Sequence, residues 1–301
     1  MEIFDAHTHF LSREFYEFQT ARRPDGTSEI LPKRIEDFGN GTPPDFTVEY
    51  FTRVLDNLGS CGVERAVTYA FVSQEMGTVG EAARVSNGRL VPYASVNPLS
   101  TSSMETLRKL QPRYRFRGLV LFPAMHDYPI GGAAAAAAFD FAHANDVVVL
   151  IHFGLLRANV RELIGLAPQD HPSYGHPGDL IPVAGDREGQ TFVVSHPGSE
   201  MFEELLDLGA KCTNVYTDTA GSAAWTPGTK KPKMLADRFA AVRDAYGVER
   251  ILFGSDSGGT PWEYHKDALD NQVSAMTEAG YAEKEIAAVL CGNLSKLLRI
   301  S

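Results

Sequence analysis

The chain of 301 residues has few cysteines, no excess of positive charge and no long apolar run. Its three cysteines, Cys61, Cys212 and Cys291, lie far apart and lack the spacing of zinc ligands, so we expect free thiols in a cytoplasmic protein. The formal net charge of −10 argues against a nucleic-acid partner, because binding phosphates requires a basic surface. No apolar stretch is long enough to cross a membrane, and no cationic segment followed by an apolar run opens the chain, so we expect no signal peptide.

Short apolar runs alternate with helical patterns along the sequence. The runs span residues 3–9, 66–72, 90–96, 116–122, 147–153, 191–196, 215–219 and 250–255, and several are apolar on both faces, as buried parallel strands are. Two further helical patterns follow the eighth run, at residues 262–280 and 282–300. The alternation predicts a single (β/α)8 TIM barrel over residues 1–301, with extra C-terminal helices. An open doubly wound sheet is the alternative, but it usually has a Gly-rich phosphate loop after its first strand, and none follows here.

Long stretches without a helical pattern follow the first and fifth predicted strands, at residues 12–46 and 155–190. Active-site loops of barrels follow the C-terminal ends of strands, so we expect these two loops to border the site. Arg22 in the first loop could bind a substrate carboxylate, because the arginine fork matches a carboxylate. Trp225, in the loop after the seventh strand, could form a wall for an aromatic or alicyclic substrate. A solvated loop position for Arg22 and loop packing for Trp225 are the alternatives.

Side chains that bind metals fall at the C-terminal ends of the predicted strands. His7 and His9 are two residues apart in "DAHTHF" and therefore point to the same face of a strand. His152 ends the fifth strand, His196 the sixth and Asp256 the eighth, all on the face where barrel chemistry occurs. A lone histidine is more often an ordinary polar core residue, but five such coincidences favour a metal site. Imidazole and carboxylate ligands suit one divalent ion, with Zn²⁺ as the first expectation and Mn²⁺, Fe²⁺ or Co²⁺ as alternatives.

Three more residues near this face are candidates for substrate binding. His126 and Tyr128 follow the fourth predicted strand, and Asp218 ends the seventh. Asp218 could instead hydrogen-bond a ligand histidine and orient its ring. These positions complete the set of side chains that the barrel topology would gather at one end.

Together the motifs resemble the amidohydrolase superfamily, and more narrowly the amidohydrolase-related group that includes aminocarboxymuconate semialdehyde decarboxylase, γ-resorcylate decarboxylase and related hydrolases and lactonases. "DAHTHF" resembles the opening HxH motif, "VVSHPG" the sixth strand, "NVYTDTA" the seventh, "ILFGSDS" the eighth and "CGNLSKLLRI" the closing helix, so the resemblance covers nearly the whole chain. It implies the metal ligands His7, His9, His152 and Asp256. It also implies that His196 contacts the substrate or the activated water and that Asp256 takes the proton from that water.

The fourth strand, "RGLVLFPAMHDY", lacks the carboxylated lysine of two-metal members, which implies a single ion. The resemblance implies a metal-dependent hydrolase that activates water to cleave an amide, ester or lactone of a small carboxylated or cyclic substrate. The runner-up is a non-oxidative decarboxylase of an aromatic or dienoic acid, although "SDSGGTPW" differs from the "SDYP" or "TDYP" of many decarboxylase relatives. A barrel that only binds a ligand is a third alternative. A homodimer, which relatives often form, is a further expectation.

Overall fold

In the computed structural model, the described residues are 1–10, 15, 48–154, 172–196, 201–222, 232–258 and 262–300. Eight parallel strands pair in chain order and alternate with helices. They are β1 Phe4–Phe10, β2 Arg65–Ala70, β3 Leu90–Val96, β4 Gly118–Leu121, β5 Val148–Ile151, β6 Phe192–Val194, β7 Val215–Asp218 and β8 Ile251–Leu252. The expected (β/α)8 TIM barrel is therefore confirmed.

Helices follow the strands. Of the two helical patterns expected after β8, the first forms one helix, and the second is divided into two α-helices by the π-helical turn Ala288–Gly292. The α-helices of the described residues are α1 Val48–Ser60, α2 Met76–Val85, α3 Thr101–Tyr114, α4 Pro123–His126, α5 Ala133–Ala144, α6 Leu180–Asp186, α7 Phe202–Lys211, α8 Pro232–Tyr246, α9 Lys266–Glu278, α10 Glu283–Ala287 and α11 Asn293–Leu298. Most of the loop expected after β1 and about half of the loop expected after β5 fall outside the described residues. The expectation that residues 155–190 lack a helix is wrong in the described part, because α6 and two 3-10 turns form there. Within the described ranges, we find no helix whose length and apolarity would let it span a lipid bilayer.

Local sequence explains where these elements begin and end. Ser100 precedes α3, and its side chain accepts a hydrogen bond from the backbone N–H of Ser103, which satisfies one of the free donors at the helix start. Arg115 ends the same helix in a left-handed conformation with φ of 50°. Several strands are shorter than the apolar runs that predicted them. After β8, for example, residues 253–256 no longer pair in the regular ladder, although their backbone still forms hydrogen bonds with β1.

The barrel closes between its last and first strands. The backbone N–H of His9 donates to the carbonyl of Ser257 over 2.8 Å, and the N–H of Asp256 donates to the carbonyl of His7 over 3.0 Å. These bonds join the C-terminal end of β1 to the segment that follows β8. As a result, residues from the two ends of the sequence lie side by side at the mouth of the barrel.

Strand side chains alternate between the barrel interior and the layer under the helices. On β4, Val120 packs inside the barrel, whereas Leu119 and Leu121 pack against the surrounding helices. Leu294 and Leu298 of α11 join the interior cluster and close the barrel at its N-terminal end. The opposite end, where the strands terminate, therefore remains the place for polar side chains.

Candidate metal centre

The end of β1 places two imidazole rings side by side. The Nε2 atoms of His7 and His9 are 3.0 Å apart, and both side chains are buried. Two nitrogens bound to one zinc ion, each at about 2.0–2.1 Å, lie about 3 Å from each other. The distance between the two Nε2 atoms therefore matches the distance expected for two ligands of one ion.

Asp256 reaches the same point from the other end of the chain. Its Oδ1 lies 3.0 Å from Nε2 of His9 and 3.4 Å from Nε2 of His7. The residue has a left-handed φ of 61°, which is strained for a side chain other than glycine. The backbone hydrogen bond from Asp256 to His7 holds it in this conformation. The fold therefore fixes the carboxylate against both imidazoles.

His196 and His152 complete the cluster on the side of β5 and β6. The ring of His196 lies 4.8 Å from that of His7 and 4.6 Å from that of His152, measured between centroids. One nitrogen or oxygen each from His7, His196 and Asp256 lies within 4.8 Å of the others. His152 is farther from His7, with 6.5 Å between the ring centroids. The structure thus gathers all five residues that end predicted strands, and their assignment as ligand, acid or base stays a prediction.

Asp218 at the end of β7 is fully buried beside His7. Its Oδ2 lies 2.8 Å from Nδ1 of His7, and its Oδ1 accepts the backbone N–H groups of Ala220 at 3.0 Å and His196 at 3.3 Å. An ionised carboxylate only accepts hydrogen bonds, so Nδ1 of His7 carries a proton and Nε2 faces the centre. Of the two roles considered for Asp218, this geometry corresponds to a carboxylate that orients the ring of His7, whose role as a metal ligand stays a prediction.

Both carboxylates of the cluster stay ionised. Burial raises the pKa of Asp256. The electrostatic interactions with His196 and His7 and the hydrogen bond from His9 together outweigh burial and hold the pKa well below its ordinary value. Burial likewise raises the pKa of Asp218, and the adjacent His7 lowers it further than burial raises it. Two negative charges therefore face the imidazoles.

The imidazoles divide into two groups. Burial lowers the pKa of His9 to about 4 and also lowers the pKa values of His152 and His196, so these three rings are neutral at pH 7. Burial lowers the pKa of His7 too, but the charge and hydrogen bond of Asp218 outweigh burial and raise that pKa above its ordinary value. Neutral imidazole is the form that binds metals.

The donor set fits a divalent ion. Two imidazole nitrogens and one carboxylate oxygen converge with separations of 3.0 to 3.4 Å, and such mixed ligands are typical of zinc and of other first-row metals. Nδ1 of His9 and Nδ1 of His152 are buried without a hydrogen-bond partner among the described residues. The arrangement can hold a cation, polarise a carbonyl group and accept a proton.

Sequence reasoning missed two aromatic side chains next to the centre. Tyr69 of β2 is fully buried, and its Oη lies 2.6 Å from Nε2 of His7. Phe71 stacks on the ring of His9, with 4.4 Å between centroids and 20° between ring planes. Both residues lie in the second apolar run, residues 66–72, close to its C-terminal end. A tyrosine at that position of a buried strand was the signal that could have revealed Tyr69.

The remaining candidates lie in different surroundings. Tyr128 is buried and packs in the layer under the helices, and His126 is buried with its ring 6.1 Å from that of Phe122. Arg22 and Trp225 lie outside the described residues. The structure thus places His126 beside an aromatic ring that itself lies 5.4 Å from the ring of His152.

Solved structures with the same fold include both hydrolases and decarboxylases. A probable 2-pyrone-4,6-dicarboxylic acid hydrolase from Acinetobacter baumannii, with citric acid bound, is 15% identical over 99% of this chain and 100% of that chain, with a TM-score of 0.63. The 5-carboxyvanillate decarboxylase of Sphingomonas paucimobilis is 14% identical over 100% of this chain and 99% of that chain, with a TM-score of 0.66. An amidohydrolase from Burkholderia multivorans with bound zinc is 15% identical over 100% of both chains, with a TM-score of 0.67. No curated protein sequence matches the chain.

The sequence comparison with protein families is more specific than this likeness of fold. The amidohydrolase family matches residues 4–300, a range that begins with β1 and ends after the last helix. The matched range includes every strand of the barrel and all the residues that converge at its mouth. The chain belongs to the amidohydrolase family.

Proposed function

We propose that the protein is a metal-dependent hydrolase that cleaves an amide, ester or lactone of a small carboxylated or cyclic substrate at a single divalent ion, with Zn²⁺ as the first choice. The observation that carries the proposal is the convergence of His7, His9 and Asp256 at 3.0 to 3.4 Å. His152 is proposed as the further ligand. When bound, a divalent ion acts as a Lewis acid and lowers the pKa of water towards about 7.

Asp256 is proposed as the proton acceptor. Its carboxylate is ionised, and 33% of its side-chain surface is exposed, whereas His7 is fully buried. It therefore contacts the imidazoles and is also accessible to an incoming water. A carboxylate at this point can take the proton of the attacking water while the histidines keep its position fixed.

His196 is proposed to act on the substrate oxygen. Its ring is neutral, lies beside those of His7 and His152, and sits on a backbone with a left-handed φ of 57° that Asp218 stabilises by accepting its N–H. A neutral imidazole can donate one hydrogen bond to the carbonyl oxygen that becomes negative during attack. His196 keeps this proton, and the proton that Asp256 accepts from the water passes to the leaving group.

An aromatic wall next to the cluster favours a flat substrate. The accessible ring is Phe71, which is half-buried and stacks on His9, and the fully buried ring of Phe122 supports it from behind at 5.8 Å. Flat apolar surface beside convergent polar groups suits a cyclic or conjugated ring that carries a polar reacting group. Arg22, Trp225 and His126 remain proposed contacts for the rest of the substrate.

A non-oxidative decarboxylase of an aromatic or dienoic acid is the second candidate. The aromatic wall would receive such an acid equally well, and solved structures with this fold include a decarboxylase. In that reaction a protein group donates a proton to the carbon that loses carbon dioxide, and no water is consumed. The two functions therefore differ in the fate of water.

The test combines metal analysis with isotope labelling. Purified protein is analysed for bound metals and then incubated with lactones, amides, esters and aromatic acids in ¹⁸O-labelled water. We expect about one divalent ion per chain, ¹⁸O in the carboxylate product, loss of turnover after chelation and recovery with Zn²⁺. Carbon dioxide release without ¹⁸O incorporation would establish the decarboxylase instead. Protein that holds no ion and turns over none of these compounds would leave only a ligand-binding barrel.

A further inference from the structure

The metal-facing nitrogen of His7 has a close neighbour that the proposed function does not use. Among the described residues, three polar atoms lie within 3.4 Å of Nε2 of His7. The nearest is Oη of Tyr69 at 2.6 Å, followed by His9 Nε2 at 3.0 Å and Asp256 Oδ1 at 3.4 Å. The other ring nitrogen, Nδ1, is bonded to Asp218. Nε2 is therefore the only atom of His7 through which an ion can bind.

The contact with Tyr69 is a hydrogen bond in either protonation state of His7. A neutral ring accepts the phenol O–H at Nε2, and a protonated ring donates its N–H to the phenol oxygen. Two donor atoms on one ion lie about 3 Å apart, whereas 2.6 Å is a hydrogen-bond distance between an oxygen and a nitrogen. Tyr69 thus contacts the one nitrogen of His7 that can bind an ion, at a distance shorter than the spacing of a further ligand.

We propose that Tyr69 is a cap on the metal-facing nitrogen of His7, and that metal uptake requires its hydroxyl to give up this hydrogen bond. The inference rests on the proposed metal site. In the protein without metal, the cap satisfies a buried nitrogen and holds the ring in place. An ion can bind Nε2 only after the hydrogen bond between Tyr69 and His7 is broken. Tyr69 is therefore a positioning residue that lowers metal affinity.

The substitution Tyr69→Phe tests the sign of this effect. Affinity for Co²⁺ and Zn²⁺ is measured by competition with a chromogenic chelator, without any substrate. We expect the variant to bind each ion roughly two- to tenfold more tightly, the range for one hydrogen bond that need no longer be broken. A purely structural role for Tyr69 predicts weaker binding, because the site would loosen. Equal or weaker binding by the variant overturns the proposal.

Tyr246→Phe is the matched control. Tyr246 is as deeply buried as Tyr69, but it lies in α8, and its hydroxyl donates to the carbonyl of Leu205 over 2.9 Å, outside the barrel. This variant also loses one buried phenol hydrogen bond, so it reproduces the stability cost without touching the cluster. We expect its metal affinity to equal that of the wild type.

A second measurement uses the wild-type protein and does not depend on the folding of Tyr69→Phe. Protein labelled with 3-fluorotyrosine carries 11 reporter groups, and ¹⁹F spectra are recorded during titration with Zn²⁺. We expect one resonance to shift in proportion to metal occupancy. If no tyrosine resonance moves, the cap is refuted even though metal binds. If no protein binds any ion, the site and the cap both fail, whereas absence of turnover alone refutes only the hydrolase.

Discussion

The two ends of the barrel use polar side chains in opposite ways, and the N-terminal end uses them to satisfy the backbone. Arg250 donates to the carbonyls of Gly209 at 3.0 Å, Cys212 at 2.7 Å and Val215 at 3.0 Å. Asn214 donates to three carbonyls in the same way, over 3.0 to 3.1 Å. Most of these carbonyls lie at the C-terminal ends of α6 and α7 or in the turns that lead to β6 and β7, where the last carbonyls of a helix lack partners within the helix. This end of the molecule is built for stability.

At the C-terminal end, the polar side chains face one another. His7, His9 and Asp256 converge within 3.4 Å, and Nδ1 of both His9 and His152 lacks a partner among the described residues. Burial of imidazoles and carboxylates together costs free energy unless something compensates it. The comparison teaches that burial at this end is not compensated within the cluster as it is at the other end. If the proposed site lies here, changes at the two ends should have separable effects on activity and stability.

The largest effect on activity is expected from Asp256→Asn. The amide has the shape of the carboxylate but can neither accept the water proton nor bind a cation as strongly, so we expect kcat to fall roughly 10²- to 10⁴-fold. The free energy of unfolding in urea should change by far less than the activity does. Steady-state kinetics on the identified substrate and a urea titration measure both. Unaltered activity would show that Asp256 is not the proton acceptor and would contradict the assignment of catalysis to the C-terminal end of the barrel.

The largest effect on stability is expected from Arg250→Met at the opposite end. Methionine keeps much of the apolar stem but removes the hydrogen bonds from Arg250 to the carbonyls of Gly209, Cys212 and Val215, of which Cys212 still accepts the N–H of Val215 at 3.3 Å. We expect the free energy of unfolding to fall by about 2–3 kcal/mol, because unsatisfied buried acceptors are costly. Metal affinity and kcat of the folded fraction should equal those of the wild type. A drop in kcat without a drop in stability would contradict the separation of the two ends.

The sequence predicted the fold and the gathering of the site better than it predicted the contacts within the site. Strand-end positions place His196 and Asp256 at the mouth of any parallel barrel, so topology alone brings them near His7. The cap from Tyr69 and the stacking of Phe71 depend on strand twist and side-chain rotamers, which the period-two pattern of a strand does not encode. Bounds were less accurate at β8, because backbone bonds to β1 replace its regular ladder.

A smaller effect is expected at Asp218, which contacts the cluster only through His7 and main-chain N–H groups. In Asp218→Asn, the amide could present its NH₂ group to Nδ1 of His7, which would move the ring proton to Nε2 and block metal binding. We expect zinc affinity to fall about 10- to 100-fold. Chelator competition measures it, and Asp207→Asn, an exposed carboxylate of α7 paired with Lys211, is the control with unchanged affinity. Equal affinities for the two variants would show that Asp218 does not orient His7.

The smallest effects are expected from a matched pair of glycines, one at each end of the barrel. Gly221 follows β7 with φ of 61°, and Gly62 precedes β2 with φ of 74°. A Cβ at Gly221 would lie 2.5 Å from Nδ1 of His196, whereas a Cβ at Gly62 meets no atom within 4 Å. Alanine forces the same left-handed strain at both positions, so we expect Gly221→Ala and Gly62→Ala each to lose about 1–2 kcal/mol of stability.

The two variants should differ only in activity. In Gly221→Ala the new methyl group must push the ring of His196 away from its place beside His7 and His152, so we expect kcat to fall about tenfold. Gly62→Ala should retain the wild-type kcat, because its strain is confined to the turn between α1 and β2. Urea titrations and steady-state kinetics on both proteins measure the pair. If both variants lose activity equally, backbone strain alone explains the loss, and the position of His196 does not control the reaction.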